Sequence, residues 1–558
     1  MFQGIYNFLV HNPGNIMTIL PLAMMIFGAF IFWIERKIFI NLLKKTNKLV
    51  LIGLVLIITS FCLISAFNFK SFSPSDEEWW DLNLAKKILS GDRTAFPNQH
   101  GMVYPLIVAI GFKIFGLSPY VASRINLFLA ALSIFLVFLL SKIIFKKDLA
   151  GLLSAIFYSF TPLVFYFTNL RMGFPTTVSF FFLLTILVSI LSFKYHKLSL
   201  YILSLVLLGL MSQLKPEYFI LVFPYLFCFI IFKEYKFLSF KKASILILLF
   251  LLFSTPFFVE NVAFKENFTG WCGTPSQIFY EGKIHSYSLP VADQLDKVLK
   301  FLANDRFSFS YLIYDLPNFA KFWTSKSFTF VLPFILLGII FSFQKAYRKE
   351  TLFLLLSFLS ISAVYLADCA FYEPRYAIPS YGLLVVFSGF ALEFLINKFY
   401  KKRGEIFFKI LPIILISLLV FNFLNFFQRY KNFSDEPASA DYQRLKKITS
   451  DFSPENSYII VPHQNEAQIL RFLGYKSSSL TDLVDSPYFE DKERFFESLK
   501  LPVNPAKNSY FISSWHCQTL KVLEDTCNFI IRNFTKKVVA RREESTIYLL
   551  KNENQKTN

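Results

Sequence analysis

The chain has 558 residues, 54% of them hydrophobic and only 17% charged, with 72 Phe. A water-soluble protein of this size would need far more charge to cover its surface, so the composition excludes one. The net charge of +19 raises the question of a nucleic-acid binder. The placement of the Lys and Arg residues assigns that charge to loops between membrane spans instead.

The apolar residues fall in blocks of roughly 18–25, the length that crosses a hydrocarbon core as a helix. No period of two runs through them and a closed barrel is wet inside, so helices are the expected spanning structure. In chain order the blocks lie near 15–35, 49–69, 122–145, 149–168, 172–193, 199–213, 217–233, 244–264, 328–346, 351–368, 377–396 and 408–428. The first lacks a small-residue cleavage site and runs into Glu35-Arg36-Lys37, so it reads as a retained anchor rather than a secretory signal. The stretch 199–233 reads as two spans or as one long kinked helix. Alternate connections carry the cations: Arg36 to Lys48, Lys142 to Lys147, Lys194 and Lys197, Lys233 to Lys242, Lys345 to Lys349, and Lys398 to Arg403. The opposite short connections hold only Arg171, Lys215 and Arg375. The first series is therefore expected to be cytoplasmic. Loops 70–121 and 265–327, and everything after Arg429, then face outward.

After the last span the pattern changes. Strand-like runs at Ser457–Pro462, Ser509–Ser513, Lys536–Ala540 and Thr546–Leu550 alternate with amphipathic helical runs at Glu466–Leu473 and Thr519–Phe529. The expected fold class is thus an all-α polytopic membrane domain of about twelve helices with a small C-terminal extracytoplasmic α/β domain. The expected divisions are 1–48 (anchor helix and basic loop), 49–430 (membrane domain) and 431–558 (α/β domain). Cys517 and Cys527 share the outward domain, and either pair in an oxidising compartment or stay as two buried thiols. There is no CxxC, and the His residues are scattered, so no metal site is expected.

The most informative stretch is the first outward loop, Ser75-Asp76-Glu77-Glu78-Trp79-Trp80-Asp81 and onward to Gly91. It sets an acidic cluster at the exit of a membrane helix and follows it with an amphipathic helix. Charge there is costly unless it is used, although Ser75 and Asp76 also make ordinary helix caps. The acidic run, an aromatic four residues after Asp76 and the Ala85-x-x-x-Leu89-x-Gly91 spacing resemble the first loop of the C-type membrane glycosyltransferases. The similarity is to the branch holding protein mannosyltransferases and the lipid A aminoarabinose transferase. It continues through His100-Gly101-Met-Val-Tyr104-Pro105, Phe115-Gly116-Leu-Ser118 and Arg124, and a second patch, Tyr372-Glu373-Pro374-Arg375-Tyr376 to Pro379, is similar to that family's late Arg-Tyr-x-x-Pro motif. The loop Thr168–Phe174 departs from the pattern, because it lacks the second acid that oligosaccharide-transferring relatives use for metal.

The resemblance implies an inverting transferase that moves a sugar from a polyprenyl-phosphate donor to a protein, lipid or glycan acceptor on the outer face of the cell membrane. Catalysis would rest on Asp76 as base with Glu77 in support, while Glu78 points around the helix. His100, Tyr104, Lys215, Glu217, Arg375 and Tyr376 would bind substrate. No metal and no cofactor beyond the lipid-linked sugar phosphate is implied. The structural alternatives are an interfacial Arg375 paired with Glu373 and, for Lys215-Pro216-Glu217, a polar hairpin between two spans. A transporter or lipid flippase is the alternative function. It would place ionisable residues or broken helices near the membrane middle and often shows inverted repeats, neither of which the charge pattern offers.

Overall fold

The computed structural model describes residues 13–67, 76–92, 101–169, 174–258, 319–320, 323, 331–344, 346–368, 374–403, 417, 421, 423, 438–480, 508–518, 521–542 and 545–550. The helices of the membrane part are α1 (Pro13–Lys44), α2 (Lys48–Phe67), α3 (Asp76–Leu89), α4 (Val103–Phe115), α5 (Pro119–Phe145), α6 (Asp148–Ser159) and α7 (Pro162–Asn169). They continue with α8 (Phe174–Tyr195), α9 (Leu198–Leu214), α10 (Val222–Ile231), α11 (Phe240–Phe258), α12 (Leu332–Ser342), α13 (Arg348–Asp368) and α14 (Pro374–Arg403).

Each expected span from 15–35 to 377–396 is mainly helical over its described residues, while nearly all of 408–428 lies outside them. Among the described residues five helices are long and apolar enough to cross a membrane, and the bent pair α6–α7 makes a sixth. Apolar helices of 10–17 residues follow, including α9 and α12. The stretch 199–233 is two helices, because Pro216 forces the preceding Lys215 into extended backbone (φ −156°, ψ 122°) and ends α9 there. The segment 149–168 is not one helix either. It bends by 61° before Pro162, whose ring cannot continue the turn. Thr161 Oγ1 and the Tyr381 hydroxyl both donate to the carbonyl of Phe157 at the bend (2.6 and 3.1 Å), so that oxygen is not left bare in an apolar setting.

Helices α5, α8 and α14 are mostly buried inside the protein, whereas α1 and α2 expose most of their length. The exposed faces of α1 and α2 carry Ile26, Phe30, Trp33, Leu49, Val55 and Leu56, side chains suited to lipid. At the centre α14 crosses α6 closely, and a Cβ on Gly389 would lie 2.1 Å from Ser154 Oγ. Only a residue without a side chain lets these two backbones approach so far.

The basic connections meet at one end of the bundle. Lys142 pairs with Asp148 (2.9 Å) and Lys147 with Glu393 (3.5 Å). Glu35 holds Lys197 (2.8 Å) and Ser199 (2.6 Å), and Glu234 takes His196 and the Tyr201 hydroxyl. Charged groups buried at this end are therefore matched.

The C-terminal part is α/β, as its alternating pattern implies. It begins with α15 (Ala438–Ile448) and contains α16 (Gln464–Leu473), α17 (Lys521–Phe534) and strands β1 (Ser457–Val461), β2 (Lys476–Ser479), β3 (Asn508–Ser513), β4 (Thr535–Arg542) and β5 (Ser545–Leu550). The sheet order is β2-β1-β3-β5-β4. β1 runs parallel to β2 and β3, and β5 is antiparallel to β3 and β4. Helix α16 starts on a capping box, in which His463 accepts from the Asn465 amide and Glu466 reaches back. Leu523, Cys527 and Ile530 of α17 pack with Ile460, Phe511 and Leu550 of the sheet. Cys517 and Cys527 form a disulfide, which ties the turn after β3 to α17.

Candidate functional site

Helix α3 begins at the acidic run. Asp76, Glu77 and Glu78 occupy its first turn and Lys86 and Lys87 its last, the charge order that suits a helix dipole. Asp76 and Glu77 are the first two residues of the helix, and their side chains lie outside the described residues. Glu78 corrects an expectation: it does not turn away but is buried, as is Asp81 one turn on. With Leu82 and Ala85 they form one inward face, at the i, i+3, i+4, i+7 spacing of a buried stripe. That spacing is present in the sequence, and acids at its first two positions hide it.

The inward face meets α4, which the sequence offers only as a motif. Tyr104 in its first turn is almost wholly buried. Burial, then the charges of Glu78 and Asp81, push its hydroxyl well above the ordinary phenol range, while a hydrogen bond with Asn126 acts the other way. Asn126 is itself buried and accepts from Thr177 (3.4 Å). Arg124, two residues earlier on the same helix and so on another face, is exposed.

Helix α4 also touches the end of α9. The contact is backbone to backbone: a Cβ on Gly101 would sit 1.6 Å from the carbonyl oxygen of Gln213, so no larger residue fits. Two residues further on lie Lys215 and Glu217, between α9 and α10. They form an ion pair (3.1 Å) with side chains only 7% and 4% exposed, and the ammonium lies 5.6 Å from the centre of the Tyr365 ring on α13. The kink at Pro216 that ends α9 is what turns Lys215 inward. The structure thus brings Tyr104, Lys215 and Glu217 to one connected region of α3, α4, α9 and α13. Arg375 and Tyr376 lie in the first turn of α14, with their side chains outside the described residues, and His100 lies outside them altogether.

Over α3 sits the C-terminal domain. Trp79, fully buried, stacks on Tyr442 (5.7 Å between ring centres) and meets Phe472 edge-on (5.4 Å). Asn83 donates to the backbone and side-chain oxygens of Gln468, both at 3.0 Å. Lys86 donates to the Phe472 carbonyl at 2.7 Å, and burial lowers its pKa. The helix carrying the acidic run is therefore clamped from outside by residues almost 400 positions later in the chain. Within that domain Asp441, Glu466 and His516 gather their ligand atoms closely enough to suit a metal. The Arg444 guanidinium already lies against both carboxylates (2.7 and 2.6 Å), so the cluster is a buried ion-pair network.

Comparison with known proteins agrees with this architecture. The family model described as dolichyl-phosphate-mannose-protein mannosyltransferase matches residues 99–259, the segment that holds Tyr104, Lys215 and Glu217. The structure of ArnT from Cupriavidus metallidurans bound to undecaprenyl phosphate is similar with a TM-score of 0.55, at 11% identity, over 89% of this chain and 97% of that one. The same protein in the apo state gives 0.54 at 13% identity, over 89% and 98%. The oligosaccharyltransferase of Archaeoglobus fulgidus in the apo form gives 0.53 at 13%, over 86% and 72%. No curated protein sequence matches. The fold is that of the C-type membrane glycosyltransferases. The resemblance read from the loop motifs, to the branch of the mannosyltransferases and ArnT, stands.

Proposed function

We propose that this protein is an inverting glycosyltransferase that moves a sugar from a polyprenyl-phosphate carrier to a hydroxyl of a protein, lipid or glycan acceptor on the outer face of the cell membrane. The observation that carries this reading is the buried Lys215–Glu217 pair at the broken end of α9, inside the mannosyltransferase-like segment and linked through α4 to the acidic helix α3. In the proposed reaction Asp76 takes the proton of the acceptor hydroxyl. The oxygen attacks the anomeric carbon from the side opposite the phosphate. The bond from that carbon to the phosphate oxygen breaks, and its electron pair leaves with the polyprenyl phosphate. Cations must meet the charge that grows there. Arg375, with a planar fork suited to phosphate, and Lys215 are assigned that task, and His100 is a further phosphate contact. Glu77 supports the base, and Tyr104 and Tyr376 shape the sugar site. Glu217 holds Lys215 in place.

Transfer from a radiolabelled polyprenyl-phosphate sugar in membranes tests the reaction, and mass spectrometry of surface glycans in a deletion strain names the sugar and acceptor. A deletion strain with unchanged glycans and membranes without transfer would sink the proposal. Arg375→Lys keeps the charge but loses the fork, and is expected to lose most of its activity or donor affinity. Wild-type kinetics in that variant would make Arg375 an interfacial anchor only.

The proposed sidedness rests on the basic loops, which share one end of the bundle. In a Cys272→Ser background, cysteine introduced at Ser73 or Ser439 is expected to react with an impermeant thiol reagent on intact cells, and cysteine at Ser239 is not. Labelling at Ser239, located by peptide mapping, would reverse the orientation.

A further inference from the structure

Gln213 is the last residue but one of α9, and the rest of that helix is almost entirely apolar or small: Leu, Val, Ile, Met, Ser, Gly and Tyr. Its side chain is fully buried. Neither the nitrogen nor the oxygen of its amide has a hydrogen-bond partner among the described residues. Its polar neighbours along the chain are satisfied: Ser212 donates to the Gly209 carbonyl (2.8 Å), and Lys215 is paired with Glu217. A buried amide unmet at both ends costs free energy at each of them. Leu or Met would fill the same volume without that cost. Such a group is kept in a folded protein when something absent from the bare chain completes it.

The position narrows what that is. The backbone of Gln213 is pressed against Gly101, and Lys215 lies two residues on, so the amide belongs to the region assigned above to the donor. Its chemistry narrows it further. A phosphate only accepts hydrogen bonds, so it would use the amide nitrogen and be repelled by the oxygen. A cation would use the oxygen alone. Sugar hydroxyls both donate and accept, and a neighbouring pair on one ring satisfies both ends of a primary amide. Resting on the glycosyl-transfer reading, we infer that Gln213 is a specificity residue that holds hydroxyls of the donor sugar, while the cations hold its phosphate.

The test separates sugar from phosphate. The full-length protein in lipid nanodiscs is melted with the polyprenyl-phosphate sugar fraction extracted from the source cells, and with the same fraction after mild acid has removed the sugar. Wild type is expected to be stabilised more by the intact fraction. Gln213→Met is expected to melt at or above wild type when unliganded and to respond normally to the acid-treated lipid. It should lose the extra response to the intact fraction, and its kcat/KM for transfer should fall by about 10- to 100-fold. Gln213→Asn keeps the amide but withdraws it by one methylene, and should fall between the two; it also serves if Gln213→Met does not fold. An extra response retained in both variants, or equal responses to the two fractions in wild type, would overturn the inference: the amide would then hold water or serve structure alone, and glycosyl transfer would stand. A wild type that responds to neither fraction and transfers no sugar would instead remove the donor reading, and the role of Gln213 with it.

Discussion

Asp76→Asn is expected to lower sugar transfer by roughly 10²–10⁴-fold with folding intact. The amide keeps the size and most of the hydrogen bonding of the acid but takes no proton from the acceptor. Glu77→Gln should be milder, because a supporting carboxylate only tunes or positions its neighbour. Glu78 does not offer the silent control that its place in the sequence implies. It is buried beside Asp81 on the face of α3, a helix that packs on α4, so the effect of Glu78→Gln is expected in thermal stability. Chelation with EDTA should leave transfer unchanged, since the loop 168–174 offers no second acid for a divalent ion. The measurement is transfer from the radiolabelled donor, with expression and melting checked for each variant. An active Asp76→Asn beside a dead Glu77→Gln would shift the base by one residue. Activity in both would remove this loop from the chemistry.

Lys215→Met is expected to destabilise the protein by about 3–5 kcal/mol, the cost of removing one partner of a buried pair and leaving the other charge behind. Lys215 and Glu217 are shielded enough from water for that cost to apply with little screening. Lys215→Met/Glu217→Met removes both charges and should recover much of the lost stability, because two apolar side chains of similar volume can replace a buried ion pair at little cost. Transfer should not recover with it, since the cation proposed to meet the leaving phosphate is gone. Thermal unfolding and transfer assays on the two variants separate the two roles. A double variant that is both stable and active would reduce the pair to a packing device at the broken end of α9.

Much of this was legible in local patterns. The apolar blocks predicted helices because crossing a hydrocarbon core sets a minimum length. The alternation after Ser457 predicted an α/β domain because strands and helices differ in period. Strand β2 was invisible: Lys476-Ser-Ser-Ser479 has no strand-like composition, and it exists as an edge strand because β1 supplies its hydrogen bonds. Helix α4 was hidden as well, since a mostly apolar run of thirteen residues is too short to span and its burial comes from α3, α5 and α9.

The candidate site divides along the same line. Sequence by itself determined the residue types on offer (an acidic run before an amphipathic helix, a Lys-Pro-Glu break, an Arg at the start of a late helix) and the side of the membrane they were expected to share, because motif spacing and loop charge are properties of neighbouring residues. Only the tertiary structure decided which polar groups lose water together. Lys215 and Glu217, between two helices, became a buried ion pair. Glu78 turned inward and is buried. Trp79 found Tyr442 and Phe472 from the far end of the chain, and the Gln213 amide was enclosed without a hydrogen-bond partner among the described residues. Burial depends on which helices pack against one another, and those contacts join residues that no local period connects.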